Sequence, residues 1–296
     1  RVDRRQRQMC IRDRCRIINM INHNGKIIPE SSKELQITNR GFLYADAVFE
    51  TLKYSNNHIH FWESHYFRLM SAMRIFRMKI PMSFTPEFLN KECLKLIEAN
   101  GNKNLSYRLR LSVYRSGNGK YLPNSNDIGY TISIEELEQI EYKSRKKYRV
   151  ELFKDYYVQR SMLSNLKSSN KSLNVIASIF INEQGFDNAI LINDAKEVTE
   201  FINGNIFIIQ GNKITTPPLR SGCLDGVMRK HIMIICNQLG FEAVESKISP
   251  FDLQKVDEIF MTNSISGVQG ITDYRRTNYS TQTSELIQNE LNNIVS

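Results

Sequence analysis

A lysine, a glutamate and a glycine that opens an apolar segment follow one another in the second half of the sequence. Lys167 precedes apolar residues at helical spacing, Glu200 ends a strand-like segment, and Gly226 begins another helical pattern. A lysine amine can form a Schiff base, a carboxylate can keep a pyridine nitrogen protonated, and a helix N-terminus can bind a phosphate. Together these groups predict a site for pyridoxal 5′-phosphate.

The segment that carries two of these groups resembles the class IV (fold type IV) aminotransferases. The family pattern runs from an acid, through Asn-aliphatic-aromatic and an apolar-x-Thr step, to a Leu-x-Gly-aliphatic-x-Arg close. Every fixed position is matched here over thirty residues, by Glu200, Asn205-Ile206-Phe207, Ile214-Thr215-Thr216 and Leu224 to Arg229. A match of this length is far more specific than a short motif. A looser resemblance extends from about Met20 to the C-terminus.

The resemblance implies roles for further residues around the cofactor. Lys167 is in register with the catalytic lysine of the family because Asn170 follows it at the expected spacing, although Lys171 competes for the role. Glu200 takes the place of the acid that pairs with the pyridine nitrogen. The remaining predicted cofactor residues are Arg68 from the first domain, Asn205, the backbone N–H groups of Gly226, Val227 and Met228, and Asn263 and Ser264. Many relatives have Thr in place of Met228, so the phosphate contacts must differ in detail.

The predicted substrate-binding residues are basic side chains near a glycine-containing loop, together with one aromatic residue. Arg110 falls where branched-chain aminotransferases place a substrate arginine, and Lys120 falls where the lyase and the D-amino acid enzymes place an arginine. Arg115, which also flanks the loop, is a third candidate for the substrate carboxylate. Phe49 stands where D-amino acid transaminase has a tyrosine, which disfavours that activity.

Two activities remain open at the level of sequence. Met228 and the Asn263-Ser264-Ile265 turn resemble the 4-amino-4-deoxychorismate lyase subgroup, which releases pyruvate and forms p-aminobenzoate in the folate pathway. The alternative enzyme is a branched-chain or broad-specificity amino acid transaminase. A cofactor-binding module without turnover is the alternative from another class. Relatives are homodimers, and the loop Ser116 to Lys120 resembles a loop that contributes to the partner's site.

Composition limits the other functional classes. The chain has 296 residues, is 41% hydrophobic and carries a formal charge of +9. Residues 1–16 contain seven arginines and two aspartates, and they resemble a translated sequencing-adaptor artefact that contributes +5 of this charge, with Met20 as the expected start. A basic arm for nucleic acid is the rival interpretation of this segment. We expect no nucleic-acid partner, no metal site and no membrane span, and free cysteines in the cytoplasm.

Periodicity predicts an α+β fold with two domains, at residues 17–138 and 139–296. The resemblance implies a smaller α/β N-terminal domain and a larger C-terminal domain with a mixed, barrel-like sheet that binds the cofactor. In the first domain the pattern predicts a hairpin at Asn24-Gly25, an extended segment from Gly41 to Tyr54, and helices at 62–76 and 86–99. Strands follow at 105–114 and 130–134. The second domain is predicted to have strands at 148–153, 189–192, 197–200, 205–210 and 259–261, and helices after Lys167 and Gly226.

Overall fold

The computed structural model describes residues 19–34 and 36–296. The predicted basic leader, residues 1–16, lies outside these described residues. Two β-sheets, each with its own helices and apolar core, make up the described chain. This arrangement confirms the predicted α+β class.

The first sheet is antiparallel and has the strand order β2-β1-β6-β5-β3-β4. Its strands are β1 (Met20–His23), β2 (Lys26–Pro29), β3 (Ala47–Ser55), β4 (His58–Ile59), β5 (Ser106–Arg115) and β6 (Ile128–Leu137). The helices of this part are α1 (Arg40–Tyr44), α2 (Trp62–Ile75) and α3 (Pro86–Asn100). In β5, buried Leu109, Leu111 and Val113 alternate with less buried Arg108, Arg110 and Ser112. Because successive side chains point to opposite faces, one face packs on the core and the other is polar.

The second sheet is mixed, with the strand order β12-β11-β10-β9-β8-β7-β15-β16, while β13 pairs with β10 and β14. Its strands are β7 (Arg149–Leu152), β8 (Asn188–Ile192), β9 (Val198–Phe201), β10 (Gly204–Gln210), β11 (Lys213–Thr216), β12 (Glu242–Glu245), β13 (Glu258–Asn263), β14 (Gly267–Gly270), β15 (Asp273–Tyr274) and β16 (Thr277–Asn278). Three helices accompany it: α4 (Ser172–Gln184), α5 (Val227–Gln238) and α6 (Gln282–Val295). Short 3₁₀ turns lie at Leu219–Ser221 and Asp252–Lys255.

The predicted helices and strands are present, with ends shifted by a few residues, but one prediction is wrong in part. The segment predicted as extended from Gly41 begins as the short helix α1, in which Asn39 Oδ1 accepts a hydrogen bond from the Gly41 amide. The chain leaves this helix at Ala45 in the left-handed conformation, and only then enters β3. The predicted domain boundary falls in the connection between β6 and β7. No helix within residues 19–34 and 36–296 has the length and apolar character needed to cross a bilayer.

Candidate active site

A cavity of about 910 Å³ lies between the polar face of the first sheet and elements of the second sheet with its helices. Phe49, Thr51 and Arg110 line one wall. The opposite walls come from the start of α4, the end of β9, the N-terminus of α5 and the loop after β13. The volume is at the upper end of that of small-molecule sites and suits a cofactor together with a substrate.

Lys167 is held in the cavity by pairing of its backbone with the start of β3. Its carbonyl accepts a hydrogen bond from the Phe49 amide at 2.9 Å, and the Ser169 amide donates to the Ala47 carbonyl at 2.9 Å. The Lys167 Nζ lies 4.7 Å from the centroid of the Phe49 ring. Burial, reinforced by the positive charge of Arg68, lowers the pKa of Lys167 to about 7. A large share of this amine is therefore neutral at physiological pH, as a nucleophile or base requires.

Glu200 is placed by the end of β9, and one of its oxygens is fixed by the backbone. The Leu224 amide donates to Glu200 Oε2 at 2.9 Å. Burial raises the pKa of Glu200, while the positive charge of Lys171 opposes this change. Lys171 lines the same cavity at the N-terminus of α4. The structure thus brings both candidate lysines and the predicted acid to one cavity.

The N-terminus of α5 has the geometry of an anion-binding site, with one correction to the prediction. A Cβ on Gly226 would collide with Asn205 Oδ1, so glycine is required there, and Asn205 Nδ2 donates to the Leu224 carbonyl at 2.9 Å. The Gly226 amide donates to the Leu224 carbonyl at 2.9 Å, and its predicted role as a phosphate donor is therefore wrong in this conformation. The amides of Val227 and Met228 have no acceptor among residues 19–34 and 36–296. These two amides can donate to an anion.

Arg68 belongs to a buried ionic network that the sequence did not predict. Its Nε donates to Glu50 Oε1 at 2.8 Å, and His65 Nδ1 contacts Glu50 Oε2 at 2.6 Å. Arg68 NH1 donates to the Asp225 carbonyl at 3.1 Å, which links α2 to the α5 N-terminus. Burial alone would raise the pKa of Glu50, but the charge of Arg68 and the hydrogen bonds from His65 and Arg68 lower it to about 2. Burial lowers the pKa of His65 itself. Two features of the sequence could have indicated this network. Glu50 is a charged residue within an apolar strand, and His65 and Arg68 lie three positions apart on one face of α2.

The loop after β13 contributes polar groups to the cavity. Asn263 Oδ1 accepts hydrogen bonds from the amides of Ile265 and Ser266 at 2.9 and 2.8 Å, so this oxygen shapes the turn. Ser264 Oγ lies 3.4 Å from His65 Nε2. Thr262 Oγ1 is buried, lines the cavity and has no hydrogen-bond partner in the described part of the chain. A polar ligand atom would satisfy it.

The predicted substrate residues separate into two groups. Arg110 lines the cavity with its Cζ 3.7 Å from the Phe49 ring centroid, and its Nε donates to Ser112 Oγ at 3.2 Å. Arg115 lies on the other face of β5, five residues along, where its Nε pairs with Asp46 Oδ2 at 2.9 Å. Its remaining N–H groups donate to the Asn126 side chain and to the carbonyls of Phe76 and Arg77. Arg115 is therefore a buried structural residue, and its assignment to the substrate is wrong.

Lys120 is exposed and does not line the cavity. Its carbonyl accepts a hydrogen bond from Arg40 NH1 at 2.6 Å, and the same arginine binds the carbonyls of Gly119 and Tyr121. The loop is thus held in shape by α1. The role of Lys120 towards a substrate stays a prediction and requires a neighbouring subunit.

The cavity fits pyridoxal phosphate on its own chemistry. The amine of Lys167 is partly neutral, Glu200 is an acid with one oxygen engaged, and the start of α5 presents free amides. The unsatisfied Thr262 hydroxyl marks a place for a polar ligand atom. Lys167 would bind the aldehyde carbon of the cofactor, Glu200 the ring nitrogen, and the α5 amides the phosphate.

Comparison with known proteins agrees with this chemistry. The profile of the family described as amino-transferase class IV matches residues 47–274. A putative branched-chain-amino-acid aminotransferase of Methanocaldococcus jannaschii is 26% identical over 83% of this chain and 84% of its own length. An aminodeoxychorismate lyase of Bacillus subtilis is 27% identical over 90% of each chain.

The fold agrees with that of solved structures. The branched-chain amino acid aminotransferase of Thermobaculum terrenum in its pyridoxal-phosphate form has a TM-score of 0.81 and 21% identity, and the similarity covers 94% of each chain. The shared architecture has a small N-terminal antiparallel sheet and a curled half-barrel sheet in the C-terminal domain. The chain belongs to the class IV aminotransferase family and is a pyridoxal-phosphate-dependent enzyme.

Proposed function

We propose that this enzyme is a 4-amino-4-deoxychorismate lyase, which converts its substrate to p-aminobenzoate and pyruvate. The supporting observation is the presence of two cations without a paired carboxylate in the cavity around Lys167. Arg110 and Lys171 line the cavity, and neither forms a direct ion pair with a carboxylate of the described chain. A ring with two carboxylates suits this lining better than a branched aliphatic side chain does, because unpaired buried cations favour anions.

The proposed roles follow from position and charge. Bound pyridoxal phosphate supplies an electron-accepting ring that stabilises negative charge on the carbon bearing the substrate's amino group. Lys167 Nζ removes the proton from that carbon, since its pKa of about 7 leaves the amine partly neutral. The C–O bond to the three-carbon substituent then breaks, the leaving group takes up a proton to become pyruvate, and the ring becomes aromatic. Arg110 binds a substrate carboxylate beside Phe49.

The assignment of roles to the cofactor residues is part of the same proposal. Glu200 pairs with the ring nitrogen, and the amides of Val227 and Met228 bind the phosphate. Arg68 lies beside the α5 N-terminus through its hydrogen bond to the Asp225 carbonyl, from which a charged guanidinium can attract the phosphate. Ser264 and Thr262 add hydroxyl groups near the same end of the cavity.

A coupled assay separates the two candidate reactions. The lyase releases pyruvate from aminodeoxychorismate without a keto acid, and lactate dehydrogenase with NADH detects that pyruvate. We expect pyruvate and p-aminobenzoate in equal amounts. Amination of a branched-chain keto acid at a much higher kcat/KM, without pyruvate release, would contradict the lyase assignment.

The second candidate is a branched-chain or broad-specificity transaminase. It is favoured by the contact between Arg110 and Phe49, because this pair could hold the carboxylate of a simple amino acid on an aromatic surface beside Lys167. The relative from Methanocaldococcus jannaschii named above carries that activity in its name. In this reaction Lys167 would move a proton between substrate and cofactor without bond cleavage at the neighbouring carbon.

We also propose a homodimer in which the Ser116 to Lys120 loop enters the partner's site. Large apolar side chains are exposed beside this loop, including Phe42 at 76%, Tyr121 at 90% and Leu122 at 84%. Burial of such a group in a symmetric interface would remove apolar area from water.

Subunit mixing tests the shared site. A Lys120→Ala subunit mixed with a Lys167→Ala subunit should recover activity, because one of the two sites in the heterodimer then has both groups. A fully active monomer, or no recovery after verified exchange, would contradict the shared site.

A further inference from the structure

A buried tyrosine in the connection between the two sheets reaches the loop that lines the cavity. Tyr142 lies between β6 and β7 and is only 3% exposed. Its amide donates to Asn292 Oδ1 at 2.9 Å, and its carbonyl accepts from Asn292 Nδ2 at 2.9 Å. Helix α6 therefore fixes the backbone of Tyr142, and with it the direction in which the side chain leaves the connection.

The ring of Tyr142 packs between the first sheet and the cavity loop, residues 263–266. On β3, Lys53 Nζ lies 4.2 Å from the centroid of the ring and donates to the neighbouring Glu141 carbonyl at 3.1 Å. Gly267, directly after the loop, has a left-handed φ of 68°, and a Cβ there would lie 2.8 Å from Tyr142 Cγ. Glycine is required at this position because the ring and the end of the loop are in direct contact.

The hydroxyl of Tyr142 belongs to a chain of buried hydrogen bonds that runs from β3 to the cavity loop. Tyr142 Oη lies 3.0 Å from His60 Nδ1 and 3.4 Å from the Ser264 carbonyl oxygen. His60 Nε2 lies 2.8 Å from Ser55 Oγ, and both of these side chains are at most 2% exposed. Among residues 19–34 and 36–296, Tyr142 is the one donor to the Ser264 carbonyl.

One arrangement of protons satisfies every contact in this chain. A carbonyl can only accept, so Tyr142 donates its single proton to Ser264 and accepts from His60 Nδ1–H. Burial lowers the pKa of His60 to about 3, so the ring is neutral and carries one proton. His60 Nε2 then accepts from the Ser55 hydroxyl. The chain therefore requires the tautomer of His60 that is protonated at Nδ1.

We propose that Tyr142 is a positioning residue that holds the cavity loop by the Ser264 carbonyl and so keeps the Ser264 hydroxyl directed at the cofactor. Ser264 lines the cavity, whereas Tyr142 and His60 lie outside it. A buried network in which each group is satisfied is rigid, and this one joins the loop to β3. The inference rests on the role proposed for Ser264 and is independent of the choice between lyase and transaminase.

The first test is a titration of the full chain, freed of bound cofactor, with pyridoxal 5′-phosphate. Tyr142→Phe removes the hydroxyl and keeps the ring. The matched control is Tyr279→Phe, which removes a buried hydroxyl that donates to the Leu253 carbonyl at 2.6 Å, outside the cavity. Both variants should lower the unfolding midpoint, but only Tyr142→Phe should raise the cofactor Kd, by about two- to tenfold, as expected for one neutral hydrogen bond. An unchanged Kd in Tyr142→Phe, or an equal rise in Tyr279→Phe, would overturn the proposal.

The second test asks whether Tyr142 acts through Ser264. In a Ser264→Ala background, Tyr142→Phe should change the Kd little, because the hydroxyl that it positions is already absent. The full effect of Tyr142→Phe in that background would overturn the proposal. Ser264→Ala alone tests the role proposed for Ser264, so failure of that role is recognised separately. Failure of the pyruvate assay would leave both Kd results standing.

The third test observes the hydrogen-bond chain in the wild-type protein. Nitrogen chemical shifts of ¹⁵N-labelled histidine distinguish protonation at Nδ1 from protonation at Nε2, and His60→Gln identifies the His60 signals among the five histidines. We expect His60 to be protonated at Nδ1 in wild type and to lose this preference in Tyr142→Phe, where Nδ1–H has no acceptor. Protonation at Nε2 in wild type would contradict the chain and overturn the proposal.

Discussion

Two carboxylates near the same cavity, buried Glu50 and half-buried Glu200, have opposite surroundings. Glu50, on the first sheet, is bound by Arg68 and His65, and the Arg68 charge with the hydrogen bonds from both residues lowers its pKa to about 2 despite burial. Glu200, on the second sheet, has a single backbone donor, and burial raises its pKa. A carboxylate with complete internal partners stabilises the fold, whereas one with a free oxygen can serve a ligand. We therefore propose that Glu50 serves the stability of the fold and that Glu200 serves the chemistry.

Loss of the reactive amine should have the largest effect. Lys167→Ala should lower kcat by about 10³-fold or more, because it removes the group that moves the proton. The thermal unfolding midpoint should stay near that of wild type, since Lys167 makes no ion pair among the described residues. Steady-state kinetics and calorimetry measure the two quantities, and Lys147→Ala is the surface control.

Removal of the Glu50 charge should affect stability most. Glu50→Gln leaves Arg68 and His65 without their acceptor, and breaking a buried pair in this way costs about 3–5 kcal/mol of unfolding free energy. The control is Glu135→Gln, which breaks the exposed pair with Arg108 and should cost less than about 1 kcal/mol. Equal losses in urea denaturation would contradict the structural role of Glu50.

The same substitution at the second carboxylate, Glu200→Gln, should lower the reaction rate and leave the stability of the fold nearly unchanged. Glu200→Gln should lower the rate of proton removal by about 10²-fold or more, because a neutral amide no longer holds the ring nitrogen protonated. Cofactor should remain bound and the unfolding midpoint should change little. Single-turnover kinetics with a deuterated substrate measures the step, and a wild-type rate would place Glu200 among the structural residues.

Arg68 joins the two regions and should show a smaller, mixed effect. Arg68→Ala should weaken pyridoxal phosphate binding by about 1.5–3 kcal/mol if one set of charge-assisted hydrogen bonds is lost. It should also destabilise the fold because Glu50 loses a partner. Cofactor titration gives the Kd, and an unchanged Kd with reduced stability would confine Arg68 to the Glu50 network.

The smallest expected effect is a change in the stabilisation by Glu50 with pH. The pKa of Glu50 is lower in the folded protein than its usual 4.5, so the stabilisation it provides is present above pH 4.5 and is lost as pH falls towards 2. The stability difference between wild type and Glu50→Gln should therefore shrink over this range. A constant difference across these pH values would show that the loss comes from packing and not from charge.

Local sequence pattern was sufficient to predict much of the fold and to select Lys167, Glu200 and Gly226, which line one cavity. Helical spacing predicted α2, α3, α4 and α5, and the thirty-residue match gave Glu200 and Gly226. Helix α1 has only five residues, which is too short for a periodic signal.

Long-range contacts could not be predicted. Arg115 is the last residue of β5, which also carries the cavity residue Arg110, yet its side chain lies on the other face of the strand because five positions separate the two. The contacts of Arg68 with Glu50 and with the Asp225 carbonyl, 18 and 157 positions away, depend on tertiary packing.

The central claim is that Lys167, and not Lys171, carries the cofactor. Borohydride reduction of the holoenzyme makes the bond between cofactor and lysine permanent, and peptide mapping by mass spectrometry locates it. We predict a single modified peptide with the cofactor on Lys167, and no modification in Lys167→Ala. Attachment to Lys171 in the wild-type protein would contradict the role assigned to Lys167.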